Sequence, residues 1–101
     1  MATRSLIDLP LHKIAAICRA YQVRELSVFG SALRPDFRPD SDVDLLVEFE
    51  PGARVGLFRF GALQEELQAA VGRNVDLVPK RGLKPLIRDD VLASAEVLYA
   101  A

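Results

Sequence analysis

Gly30-Ser31-Ala32-Leu33-Arg34-Pro35-Asp36-Phe37-Arg38-Pro39-Asp40-Ser41-Asp42-Val43-Asp44 is the stretch on which the fold of this chain turns. It opens where the short apolar run Leu26–Phe29, rich in strand formers, breaks off at Gly30-Ser31. Pro35 and Pro39, among several aspartates, make residues 34–41 a connecting turn. Asp42 to Phe49 then alternates as a strand does. Val43, Leu45, Val47 and Phe49 share one face, and Asp42, Asp44, Leu46 and Glu48 share the other.

The polar members of this stretch carry chemistry. A glycine at the strand's end lets backbone approach a ligand closely, and the following N–H groups with the Ser31 hydroxyl can hold a phosphate. Asp42 and Asp44 lie two apart on a strand, so their carboxylates converge on one face. Two such charges repel by roughly 4 kcal/mol at about 4 Å and an effective dielectric of about 20. A divalent cation removes that penalty, and hard oxygen ligands suit Mg²⁺, which takes one or two carboxylates plus phosphates and waters. Asp76 stands within Val75-Asp76-Leu77-Val78, where an acid in an apolar strand is costly unless paired or metal-bound. If that strand lies beside the second, Asp76 joins Asp42 and Asp44 in a three-carboxylate site able to hold two metals. Contributed separately, it is then the one of the three best suited to act as general base.

Outward from this segment, Asp8-Leu9-Pro10 reads as a helix start with Asp8 as N-cap. Leu11, Ile14, Cys18 and Tyr21 follow at helical spacing. A second helix is expected from about Gly56 to Val71, with Phe60, Leu63, Leu67 and Ala70 on one face and Gly72 as its stop. Phe58 and Phe60 are expected to anchor in the core, unless one of them faces a partner. Asn74–Val78 reads as a third strand closed by Pro79, and Pro85 suits the first turn of a last helix carrying Ile87, Val91 and Leu92 inward. The order helix, strand, strand, helix, strand, helix predicts an α/β (α+β) fold, a small mixed sheet flanked by helices. One domain is expected over residues 1–101.

Half the residues are hydrophobic, which is the composition of a globular protein. Thirteen basic against fourteen acidic residues argue against broad electrostatic binding, so no direct nucleic-acid contact is expected. So even a balance does little to keep copies apart, and a homodimer or a constitutive hetero-oligomer is compatible with it. Cys18 is the only cysteine, which excludes an intrachain disulfide and a Cys-rich zinc site. Arg4, Asp8, His12 and Lys13 interrupt any N-terminal apolar run and no stretch of about 20 apolar residues occurs, so a cytoplasmic protein without membrane association is expected. His12 has no partner in sequence and reads as a surface residue, Cys18 as core. The basic cluster Lys80, Arg81, Lys84 and Arg88 is either a solvated loop and helix start or a grip for phosphate or a partner.

The Gly-Ser pair, ten residues and then Asp-x-Asp together resemble the signature of the DNA polymerase beta-like nucleotidyltransferase superfamily. The short length, Arg34, the run Ser41–Val47 and Gly82-Leu83-Lys84-Pro85 are similar to the minimal nucleotidyltransferase (MNT, MntA-type) antitoxins that accompany HEPN-domain toxins. That resemblance implies a polymerase-beta-like sheet, Mg²⁺ as cofactor, ATP as substrate, and transfer of AMP to a tyrosine of a HEPN ribonuclease toxin, which is silenced. It also implies that Gly30 and Ser31, with Arg34 as a further contact, hold nucleotide phosphate. Asp42 and Asp44 would bind metal, with Asp76 as the third acid. Two other functions fit the same residues: neutralisation of a toxin by binding alone, and nucleotidyl transfer to a small molecule, for whose acceptor pocket a chain this short has little room.

Overall fold

The computed structural model describes residues 9–30 and 42–101. Ser31, Arg34 and the turn over 34–41 lie outside the described residues, as does Asp8. At the first helix, Pro10 occupies the N-cap position and α1 runs Leu11–Ala20. It presents Ile14 and Cys18 inward, at the spacing the sequence predicts, while His12 is exposed. Gln22, held at φ 59°, turns the chain into β1, Val23–Phe29. β2 is Val43–Phe49, α2 Leu57–Val71, β3 Val75–Pro79, α3 Pro85–Ser94 and β4 Glu96–Ala100, with a 3-10 turn at Lys80–Gly82. Gly72 ends α2 in the left-handed conformation, its N–H donating to the Gln68 carbonyl at 2.8 Å, as a helix-stopping glycine should.

The four strands form one mixed sheet in the order β3-β2-β1-β4. β1 pairs antiparallel with both β2 and β4, and β2 pairs parallel with β3, α2 supplying the crossover that parallel neighbours require. Leu26 and Val28 from β1, Val43, Leu45 and Val47 from β2, and Val75 and Leu77 from β3 form the core against Ile14 and Cys18 of α1 and Leu63 and Leu67 of α2. Burial pushes the Cys18 thiol up to about 12, so it behaves as a small apolar side chain. At the open side of α1, Tyr21 donates its hydroxyl to the Glu66 carboxylate of α2. The Arg59 guanidinium lies 4.8 Å from the Tyr21 ring centroid and donates to the Ala20 carbonyl at 2.8 Å. The bond to Glu66 is the main reason that the Tyr21 phenol titrates above its ordinary range.

Four sequence expectations need correction. The N-cap of the first helix falls on Pro10 and not on Asp8, because the helical conformation begins only at Leu11. Phe58 is 97% exposed rather than a core anchor. It stands two residues from the half-buried Phe60, about 200° around the helix, and so faces away from the sheet. Ile87 and Leu92 of α3 point largely to solvent, at 49% and 39% exposed, and α3 buries no residue completely. The last helix is also followed by β4, an edge strand that the sequence reading omitted. No helix among the described residues is long and apolar enough to cross a membrane.

Candidate active site

The candidate site forms at one end of the sheet because the register brings distant residues abreast. The Val43 N–H donates to the Asn74 carbonyl at 2.9 Å, and from there β2 and β3 run in step, Asp44 beside Asp76. The Val75 N–H is received by the Gln68 side chain at 3.1 Å, which fixes the start of β3 on α2. On the other side of β2, Asp44 lies opposite Phe29, the last residue of β1. Val43, Leu45, Val75 and Leu77 are buried in the core, so alternation directs Asp44 and Asp76 to the opposite face of the sheet. Asp42 precedes Val43 and is exposed, Asp44 is half-buried and Asp76 is exposed.

Gly30 completes the band. It follows Phe29 with φ +73°, a conformation L side chains rarely adopt. A Cβ placed there would overlap the Asp44 carboxylate oxygen Oδ2 and stand 3.2 Å from its Cγ. Glycine is required twice over, by the backbone angle and by the approach of the acid. The sequence signal for Gly30, a glycine ending an apolar run, identified the position but not its neighbour.

Among the described residues, no three acid, histidine or cysteine side chains stand close enough together to hold a metal ion by themselves. Asp42, Asp44 and Asp76 are therefore not gathered into the three-carboxylate group that the sequence predicts, although Asp44 stands abreast of Asp76. Adjacent acids at one end of the sheet's open face, with a backbone approach kept open by Gly30, are hard oxygen donors of the kind that suits Mg²⁺ and a phosphorylated ligand.

Of the basic cluster, Lys80 is accounted for away from this band. Its ammonium lies 3.3 Å from the Glu48 carboxylate and 4.0 Å from that of Glu25. Asp44 and Glu48 are separated along β2 by about 13 Å at a rise of about 3.3 Å per residue. The ion-pair partners Glu25 and Glu48 were not singled out from sequence, where nothing marks them apart from other surface acids.

A small mixed sheet with Gly30 against a strand-borne acid is what the resemblance to nucleotidyltransferases implies. The family model of the nucleotidyltransferase domain matches residues 11–98. The protein adenylyltransferase MntA of Thermococcus cleftensis is 42% identical over 99 residues, covering 90% of this chain and 96% of that protein. A solved structure assigned as a minimal nucleotidyltransferase superposes with a TM-score of 0.71 at 37% identity, over 85% of this chain and 86% of the other. A tri-AMPylated HEPN toxin from Shewanella oneidensis in complex with its MNT antitoxin matches with a TM-score of 0.63 at 20% identity, over 90% of this chain and 70% of that one, a likeness of fold. The chain belongs to the nucleotidyltransferase-domain family and, within it, to the minimal nucleotidyltransferases of the MntA type, which are protein adenylyltransferases.

Proposed function

We propose that the chain is an antitoxin that transfers AMP from ATP to a tyrosine hydroxyl of a HEPN ribonuclease toxin in the cytoplasm and thereby silences it. The observation that carries this is the abreast placement of Asp44 and Asp76, with Gly30 closing on Asp44. The acceptor class is supported by the MNT antitoxin found with an AMPylated HEPN toxin, and the donor by the adenylyl chemistry of the relative from Thermococcus cleftensis.

In this proposal Gly30 and the backbone beyond it, with Ser31 and Arg34, receive the triphosphate. Asp42 and Asp44 hold Mg²⁺, which when bound neutralises phosphate charge. Asp76, coming from a separate strand, accepts the phenolic proton as the tyrosine oxygen bonds to the α-phosphorus. The bond from that phosphorus to the bridging oxygen breaks, and pyrophosphate leaves. In-line displacement of this kind relies on positioning and on charge stabilisation.

The test is to incubate the chain with its HEPN partner, α-labelled ATP and Mg²⁺. Label should appear on the partner with the wild-type chain and be lost with Asp44→Asn. Label that persists undiminished in Asp44→Asn would overturn the assignment of Asp44. A variant that cannot transfer label yet still suppresses toxin ribonuclease activity at equimolar ratio would establish neutralisation by binding instead.

A further inference from the structure

At the far end of β2 from the acids lies an open cleft of about 970 Å³, floored by Phe49, Phe60 and Leu57 and bounded by α3. Two features set it apart. Leu57, in its lining, is 87% exposed, and Phe58, next in the chain but outside the lining, is 97% exposed, so bare apolar surface stands at and beside the cleft. Phe60 is held against Phe49 edge to face at 6.3 Å, so the floor is rigid while its outer neighbours have nothing to pack on.

Charge is the second feature. Lys80 is neutralised by Glu48, but Arg24, Arg81 and Arg88 line the cleft with no carboxylate within ion-pair distance among the described residues. Glu50 and Asp89 oppose them only in part. α2 also begins at this cleft, with no acid in its first turn, so its N-terminal N–H groups add to the positive side.

A second copy of the chain would bring one cationic rim against another, which disfavours self-association here. We propose that this cleft, and not the carboxylate end, is the docking surface for the toxin. It would receive an acidic amphipathic segment whose apolar side chains cover Leu57 and Phe58 while its carboxylates meet Arg81 and Arg88. This rests on a HEPN toxin being the acceptor. Affinity and chemistry then sit at opposite ends of one strand.

The experiment measures toxin binding and AMP transfer on the full chain with its purified HEPN partner. Leu57→Ser combined with Phe58→Ser alters two solvent-facing side chains, so the fold is retained. Affinity should fall by about tenfold or more, as when hydrophobic anchors are removed. KM for the toxin should rise in step while kcat at saturation holds, the pattern of lost uniform binding. Arg81→Glu with Arg88→Glu should weaken binding further and remove most of its salt dependence. Wild-type affinity in the serine variant overturns the surface, and wild-type affinity in the charge-reversed variant overturns the acidic occupant. A wild-type homodimer that the serine variant makes monomeric, with toxin affinity intact, assigns the face to a second copy and overturns the proposal. A wild-type chain that binds toxin through the cleft but transfers no AMP sinks the catalytic proposal alone. A chain that binds no HEPN partner sinks both.

Discussion

The two ends of β2 have the same scaffold and opposite surfaces. At its start, Asp42 and Asp44 gather negative charge beside Asp76, under a glycine that admits backbone at close range. At its end, past Phe49, apolar side chains stand bare among arginines. Exposed aromatic surface costs free energy unless something covers it.

The largest expected contrast is chemical. Asp44→Asn should lower AMP transfer by roughly 10²–10³-fold, as loss of a charged group acting on the transition state does, while toxin binding is unchanged by calorimetry. A parallel fall in binding would break the separation of the two ends. Next comes a pair of glycines with the same backbone hand. Gly30→Ala places a Cβ against Asp44 at φ +73°, whereas Gly52→Ala, at φ +83° near the cleft, meets open space. Urea titration should give a loss of about 1–3 kcal/mol at Gly30 and about 1 kcal/mol at Gly52, the difference reporting the Asp44 contact. Equal losses would mean that the acid yields freely.

Alkaline pH gives a smaller effect, belonging to neither end. The Tyr21 phenol and the Cys18 thiol both titrate above their ordinary ranges in the folded chain, Tyr21 chiefly through its bond to Glu66 and Cys18 through burial. A folded value above the unfolded one means that the neutral form adds stability at lower pH. That contribution disappears as pH rises, from the ordinary thiol range towards about 12 for Cys18 and above the ordinary phenol range for Tyr21. The melting temperature should fall over that window, and Tyr21→Phe should flatten part of the fall. The smallest effect is at the bare end: Leu57→Ser should change stability by no more than about 0.5 kcal/mol, since the side chain contributes little to the core. A larger loss would show that the apolar surface serves the fold.

Legibility from sequence followed the strength of local constraint. β2 could be read because its alternation places acids and aliphatics on opposite faces, and the two-residue spacing of Asp42 and Asp44 survives any choice of sheet order. The place of Asp76 depended on β3 lying beside β2, a tertiary fact that the Val43–Asn74 hydrogen bond records and no residue pattern announces. β4 was missed because Val97-Leu98-Tyr99 is too short to choose between helix and strand. Its strand conformation comes from pairing with Leu26 and Ser27 of β1. Leu92 and Phe58 misled for one reason: helical periodicity predicts that an apolar face exists, not that the protein itself covers it. Ser31 and Arg34 lie outside the described residues.

β3 is an edge strand of five residues, and it alone carries Asp76 into the site. Edges fray at lower free energy than centres. Transient release of β3 therefore removes one acid while Gly30, Asp42 and Asp44 keep their places on the inner strands. If Asp76 is the base, as proposed, activity would follow this local opening. Amide exchange at Leu77 should outpace that at Leu45, and the ratio of the two would measure how often the edge strand opens relative to the inner one.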